Sequence, residues 1–305
     1  MRPWSSLGQT LKGRAVTMTY QSLDEFLHRG RSALAKGPVA ALFAEDESEI
    51  ASTATHLATL GFAETLLFLP AQITLPADFD IPVHQVTYDV SASGAVPEAM
   101  NALIAAASEK TWFHYCYNGE YLFYPFCETR SVAELTAFST EERRDAVLTY
   151  VVDLYAQDLS RFPNAVDREN AMMDITGYYA LTRYDAEGKA LDRQLDFFGG
   201  IRWRFEEHIP WARRHIDRVS FFRAQKGLKL GADHRFNIAE YNTYACPWHH
   251  NITGVVASFR TAKALKSNPG SKWAVQNFAW QGSAKFGWSS MQLMELGLME
   301  PGQWF

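Results

Sequence analysis

The sequence has no uninterrupted apolar run of about 18 residues, the least that a membrane-spanning helix requires. Residues 1–20, MRPWSSLGQTLKGRAVTMTY, also hold no continuous apolar stretch of the kind a secretory leader needs. Neither a transmembrane segment nor a signal peptide is therefore expected, and the expected location is the cytoplasm. Cysteine is scarce: Cys116, Cys127 and Cys246 are three in 305 residues, an odd count that points to free thiols. Cys116 and Cys127 would suit a disulfide if they faced each other across a hairpin, but the compartment argues against one. Positive charge is not in excess either. With a formal net charge of −5 and a pI near 6.0, the counterion release that drives nucleic-acid binding has no broad basic field behind it, so no nucleic-acid partner is expected. The local basic run WARRHIDR, residues 211–218, reads as the solvated face of a helix. Internal repeats, low-complexity tracts and long linkers are missing as well.

What is present suffices for one large core or two fused ones: 47% of residues are hydrophobic and 14% aromatic. The run PVAALFA at 38–44 is a short, continuous apolar stretch, the pattern of a strand buried on both faces of a parallel sheet. After it come the acids Glu45, Asp46 and Glu47, then apolar residues at helical spacing over 50–60 until Gly61. ETLLFLP (64–70) and IPVHQVTYDV (81–90) read as the next two strands, AVPEAMNALIAAASE (95–109) as a helix and TWFHYCY (111–117) as a fourth strand. The order β-α-β-β-α-β predicts an α/β fold with helices covering a mainly parallel sheet.

The stretch TWFHYCYNGEYLFYP, residues 111–125, reads as two apolar strands hinged on Asn118 and Gly119, with an uncompensated Glu120 at the hinge. Beyond it, residues 139–156 predict a polar turn or short helix and then a strand, and residues 161–174 a loop-rich segment. Residues 177–205 alternate as a hairpin does, with a turn at 185–188 and a bulge or close backbone approach at Gly199 and Gly200. From SKWAVQNFAWQ at 271–281 onward, the spacing returns to helical.

Open α/β sheets bind ligands outside the carboxyl ends of their strands, which places the 45–47 acids, the region after Leu69 and residues 118–120 around one crevice. Acids in a first helical turn also serve to stabilise the helix, an equally good account of 45–47. ACPWHHNITG at 245–254 groups Cys246, His249 and His250, with His234 nearby. A structural zinc site needs two separated ligand pairs, so this segment reads as a polar, partly buried loop whose histidines are pocket candidates.

In order and spacing, VAALFAEDESEI, WFHYCYNGEYLFYP, FFGGIRWRF, GVVASFR and GSAKFGWSSMQLMELGLM resemble bacterial glycosyltransferases of family 2, in the branch with KNE, DxDEF, GGxRxR and LLHFK motifs. The likeness spans residues 38–299. It implies a GT-A-type nucleotide-binding sandwich at 37–265, preceded by an N-terminal helical extension at 1–36 and followed by a helical C-terminal segment at 266–305 on the same domain. It implies a nucleotide sugar, UDP- or GDP-linked, as donor and a glycan acceptor, which a peripheral position at the inner membrane face would supply.

The correspondence is uneven. Asp46 and Glu47 fall on NE, whose acid would face the nucleobase, and Glu45 replaces the lysine. Residues 117–121 fall on DxDEF, so Tyr117 and Gly119 stand where the two aspartates belong, while Glu120 and Tyr121 remain. Gly199, Gly200, Arg202 and Arg204 match GGxRxR in full, and Ser258 and Arg260 replace the histidine and lysine of LLHFK. The aspartate pair would hold Mn²⁺ or Mg²⁺ against the departing diphosphate. Without it, either Arg202, Arg204 and Arg260 stabilise the leaving group or the site is a remnant. If residues 201–204 were a strand, both arginines would face one pocket. Inverting transfer needs one general base, for which Asp196 is the first candidate and Glu206 and Glu207 the next. Two functions stay open: a hexosyltransferase acting on a cell-surface polysaccharide precursor, and a catalytically inactive domain that binds a glycan or partner.

Overall fold

The structure, a computed structural model, describes residues 18–247 and 249–304. Its first half holds β1 (Met18–Tyr20), α1 (Leu23–Arg29), β2 (Val39–Phe43), α2 (Ile50–Leu60), β3 (Glu64–Leu69), β4 (His84–Thr87), α3 (Ala95–Ala106) and β5 (Trp112–Tyr117). The strands lie in the order β1-β4-β3-β2-β5 and every pairing is parallel. Because side chains alternate along a strand, β2 sends Val39, Ala41 and Phe43 into one apolar layer and Ala40 and Leu42 into the other. The first layer is closed by α3 through Val96, Met100 and Leu103, the second by α2 through Ile50, Ala54 and Leu57. A strand covered on both faces must be apolar throughout, which is what PVAALFA shows. α2 stops at Gly61, in the left-handed region at φ 89°, where its N–H reaches back to the carbonyls of Ala58 and Leu57.

The second half adds β6 (Glu120–Phe123), α4 (Val132–Glu141), β7 (Ala146–Tyr155), β8 (Met172–Asp174), β9 (Tyr179–Tyr184), β10 (Ala190–Phe198), α5 (Gly200–Arg204), β11 (Asp217–Arg223), β12 (Thr253–Ser258), α6 (Arg260–Ser267), β13 (Ser283–Lys285) and α7 (Ser290–Glu295). The sheet continues as β5-β11-β7-β12-β6, with β11 antiparallel to both neighbours, β12 parallel to β7, and β6 antiparallel to β12. β8 and β13 extend this mainly parallel, eleven-stranded sheet, and β9 and β10 form a separate ribbon. The result is a mixed α/β fold with seven α-helices among the described residues, none long and apolar enough to cross a membrane.

Several expectations change. β5 and β6 are not a hairpin: both edges of β5 are taken, by β2 and β11, so the turn at Gly119 (φ 75°) sends β6 to the far side of β12. The cysteines, by contrast, are free thiols as expected. Residues 271–281 are turns and loop rather than helix, and residues 283–285 are the strand β13. The basic run at 211–218 is no solvated helix face; a 3-10 turn at Trp211–Arg213 leads into β11, and Arg218 is buried. Of the expected N-terminal extension, residues 18–36 form a parallel strand, α1 and a 3-10 turn, and residues 1–17 lie outside the described residues.

Candidate functional site

At the carboxyl ends of β2 and β5, Asn118 ties two loops together. Its Oδ1 accepts from the Glu45 N–H at 2.8 Å, and its Nδ2 donates to Asp46 Oδ1 and to the Ser48 carbonyl, both at 2.7 Å. The loop after β2 and the turn after β5 therefore share one place, as the topology of an open sheet requires. The next turn is held by the Gly119 N–H, which donates to Thr53 Oγ1 at 2.9 Å.

Onto this floor α6 brings two cations one helical turn apart. Arg260 forks onto Glu45, with Nε and Nη2 each 2.7 Å from a carboxylate oxygen, while its guanidinium lies 3.7 Å from the centroid of the Tyr117 ring. Lys263 Nζ reaches Asp46 Oδ2 at 2.9 Å. Burial alone would raise the Asp46 pKa, but Lys263, helped by the Ser48 N–H and the Asn118 amide, holds it below the usual carboxylate range. Glu47 is exposed and has no ion pair among the described residues. The acids 45–47 precede α2, which starts at Ile50, so they do not charge its first turn; Glu45 and Asp46 pair with α6 instead.

Directly beneath lies Glu120, and it is not uncompensated. Its side chain is 1% exposed. Arg218 of β11 meets it with Nη2 at 2.6 Å from Oε2 and Nη1 at 3.3 Å from Oε1. The Tyr117 N–H adds a bond to Oε2 at 2.9 Å and the Ser258 hydroxyl one to Oε1 at 3.0 Å. Burial pushes the Glu120 pKa up, yet the Arg218 guanidinium outweighs it and keeps the carboxylate ionised. With two donors on each oxygen, Glu120 offers a divalent cation no free lone pair, and Tyr117 and Gly119 offer no carboxylate. The hinge residues do not fit a metal. His234 closes this layer, its Nδ1 3.0 Å from the Tyr115 hydroxyl; burial, then Arg218 and Arg260, push its pKa down to about 3, so it stands neutral.

The glycine pair is placed as a close approach. A Cβ on Gly199 would lie 2.3 Å from a Tyr178 ring carbon, and Gly199 and Gly200 have φ of 153° and 61°. They end β10 and start the single helical turn of α5, so residues 201–204 are not a strand. Side chains two apart on a helix point about 200° apart, and the two arginines diverge. Arg202 approaches Asp153 at 3.2 Å and the His215 carbonyl at 2.7 Å; Arg204 grips Asp174 at 2.7 and 3.0 Å and the Phe278 carbonyl at 2.7 Å. Burial raises the Asp153 pKa, with Arg202 opposing it.

The remaining candidates are held by partners other than Arg260, Lys263 and Arg218. Asp196 is held by Arg183 at 2.7 Å and Arg235 at 2.6 Å, Glu206 by Arg214 at 2.8 Å, and Glu207 lies 3.7 Å from His208. Asp196, His215 and Asp217 are close enough together to share a cation, but Arg183 bonds both carboxylates at 2.7 Å and already neutralises much of their charge. His249 and His250 are not joined to His234: His249 Nε2 reaches Glu142, just beyond α4, at 3.1 Å, and His250 lies against Tyr244.

The sequence reading passed over Arg218, Lys263, Asp153 and Asp174. Lys263 had a signal, since RTAK sets it one turn after Arg260. Arg218 had none, because it sits 98 residues from Glu120. No protein-family model matches the chain, and no curated protein is found similar to it.

Proposed function

We propose that the protein is a family 2-type glycosyltransferase of GT-A architecture that moves a hexose from a nucleotide sugar to a glycan or polysaccharide precursor, with no metal at the hinge. The observation that carries this reading is the convergence, at the strand ends where open α/β sheets bind ligands, of Tyr117, Arg260 and Lys263 over Glu45, Asp46 and Asn118. Glu45 and Asp46 are 31% and 46% exposed at the mouth, with Arg260 37% exposed beside them and Lys263 buried behind Asp46, so a diphosphate can replace the two carboxylates as partner of these cations. Arginine recognises phosphate by the same two-pronged geometry it uses here on a carboxylate.

In the reaction an acceptor hydroxyl attacks the anomeric carbon, the bond to the diphosphate oxygen breaks, and the hydroxyl proton passes to a carboxylate. Arg260 and Lys263 take up the charge of the leaving diphosphate, the task a metal performs in relatives with the aspartate pair. The base is sought among Asp153, Asp196 and Glu206. Exchange of the true base for its amide removes turnover and spares donor binding.

One observation favours the second reading, a domain that binds a nucleotide sugar or glycan without turnover: Asp196 and Glu206 are both paired with arginine, which weakens a carboxylate as a base. Tryptophan fluorescence titrated with UDP- and GDP-hexoses, followed by an assay for released nucleoside diphosphate with a glycan acceptor, separates the two. Binding with release supports the transferase. Binding without release selects the silent domain, and no binding to either donor class removes both.

A further inference from the structure

Three buried polar atoms with no hydrogen-bond partner among the described residues line one small cavity between α4 and residues 249–252: Ser139 Oγ, Arg144 Nε and Asn251 Nδ2. Ser139 is fully buried, and Arg144 and Asn251 are each 7% exposed. Arg144 is fixed in place, since its other nitrogens hold Glu240 and the Thr243 hydroxyl. Unsatisfied donors at such depth call for a small oxygen-bearing guest of about the size and bonding habit of water.

Beside this cavity stand three groups in line. Cys246 Sγ lies 3.0 Å from His249 Nδ1, and His249 Nε2 lies 3.1 Å from Glu142 Oε2. His249 and Glu142 line the cavity too, and Asn251 links it to the cysteine by accepting the Cys246 N–H at 3.1 Å. A thiol, an imidazole and a carboxylate in this order are the parts of an activated nucleophile. The other cysteines differ: Cys116 is sealed in the core, and burial pushes the Cys127 thiol up to about 12. Cys246 and Cys127 are both partly buried, and the imidazole beside its sulfur is what sets Cys246 apart.

We propose that Cys246, His249 and Glu142 form a peroxide-reactive thiol site, at which hydrogen peroxide oxidises Cys246 to a sulfenic acid. His249 Nδ1 takes the thiol proton. The thiolate attacks one peroxide oxygen, the S–O bond forming as the O–O bond breaks, and the departing oxygen recovers the proton from Nδ1 to leave as water. Sulfur gives up two electrons and the peroxide takes them, so thiol plus hydrogen peroxide becomes sulfenic acid plus water. Glu142 orients the ring and stabilises the imidazolium, the part played by the acid of a triad. An acyl substrate suits the site less well, because the N–H of Cys246 itself, a natural donor to an oxyanion at the nucleophile, is taken by Asn251. The other charged or titratable groups facing the site are Arg144, Arg193, which donates to the Ala245 carbonyl at 2.9 Å, Glu240 between these two, and His250.

The test is labelling of the intact protein with dimedone after hydrogen peroxide, read by peptide mass spectrometry, with melting curves on each variant. The adduct is expected at Cys246 about tenfold faster than at Cys127 or Cys116, because Cys246 has an imidazole nitrogen 3.0 Å from its sulfur to take the proton. His249→Gln should slow it about tenfold and Glu142→Gln less, with melting unchanged. Equal rates at Cys246 and Cys127, or a His249→Gln variant as fast as the parent, overturn the proposal. If His249→Gln does not fold, Glu142→Gln decides: slower labelling of Cys246 with melting unchanged supports the proposal, and labelling as fast as in the parent overturns it.

Discussion

Two layers of charge sit one above the other at the end of the sheet, and they are built differently. In the lower layer, Glu120 and Arg218 are 1% and 6% exposed, and every carboxylate lone pair is used. In the upper layer, Arg260 and Glu45 are 37% and 31% exposed at the mouth of the crevice, while Lys263 is 9% exposed and its partner Asp46, 46% exposed, is also bonded by Asn118 and the Ser48 N–H. A pair sealed inside the sheet cannot exchange its partner without leaving a buried charge bare, which costs far more than the pair contributes. An open pair costs little to break. The lower layer therefore shapes the floor, and in the upper layer the Arg260–Glu45 pair is the one most free to trade carboxylate for phosphate.

Acid should break the lower layer most completely. His56, His114 and His234 are buried and neutral, their pKa values pushed from 6.5 down to about 4, 3 and 3, with burial the first cause in each. As the pH falls below 6.5 the unfolded chain takes up these protons and the folded one does not, so their contribution is whole above 6.5 and drains away toward 4. With three protons in that window, the slope approaches roughly 4 kcal/mol per pH unit. Glu120, lowered from 4.5 to about 2 by Arg218 against burial, acts in the same sense one step later: its contribution is present above 4.5 and lost below. Urea unfolding at pH 7, 6 and 5 should show a steep loss; a flat profile would mean that these histidines are not buried neutral.

Arg218→Ala should come next, since it strands the Glu120 charge and costs about 3–5 kcal/mol in denaturant melts. Glu120→Gln keeps the shape and should cost less than about 3 kcal/mol while leaving donor affinity near that of the parent. A Glu120→Gln variant that folds normally but loses donor binding would erase the distinction between the layers. Gly199→Ala is the third, at about 1–3 kcal/mol, because the new methyl meets the Tyr178 ring in a backbone conformation that only glycine holds with ease. The smallest effect on stability and the most telling on function is Arg260→Lys, with melting unchanged and donor affinity reduced about tenfold, or about 1.4 kcal/mol.

The order β-α-β-β-α-β was legible because strands buried on both faces are apolar throughout and Gly61 marks a helix end, signals that are local. The meeting of Asn118 with residues 45–48 followed from the rule for strand ends. What could not be read is long-range. The turn at Asn118 and Gly119 reads as a hairpin, yet β11, drawn from residues 217–223, lies against the free edge of β5. It carries Arg218, which a local charge count had assigned to a solvated helix. Arg202 and Arg204 were misplaced for the opposite reason: one helical turn is too short to print a period, so GGIRWR looked like strand. Their partners, Asp153 and Asp174, then became unpredictable. Tyr117 and Gly119, at the positions where the resemblance would put aspartates, were readable at once, and an arginine, Arg260, stacks on the Tyr117 ring.

The central claim, a donor held by Arg260 and Lys263 without metal, is tested most directly by calorimetry of UDP- and GDP-hexoses with the parent protein in chelator and in manganese. We predict that one donor class binds and that its affinity differs by less than about threefold between the two conditions, or under 1 kcal/mol. A loss of more than about tenfold in chelator would show that carboxylates such as Asp46 assemble a metal site after all, and the account would be wrong.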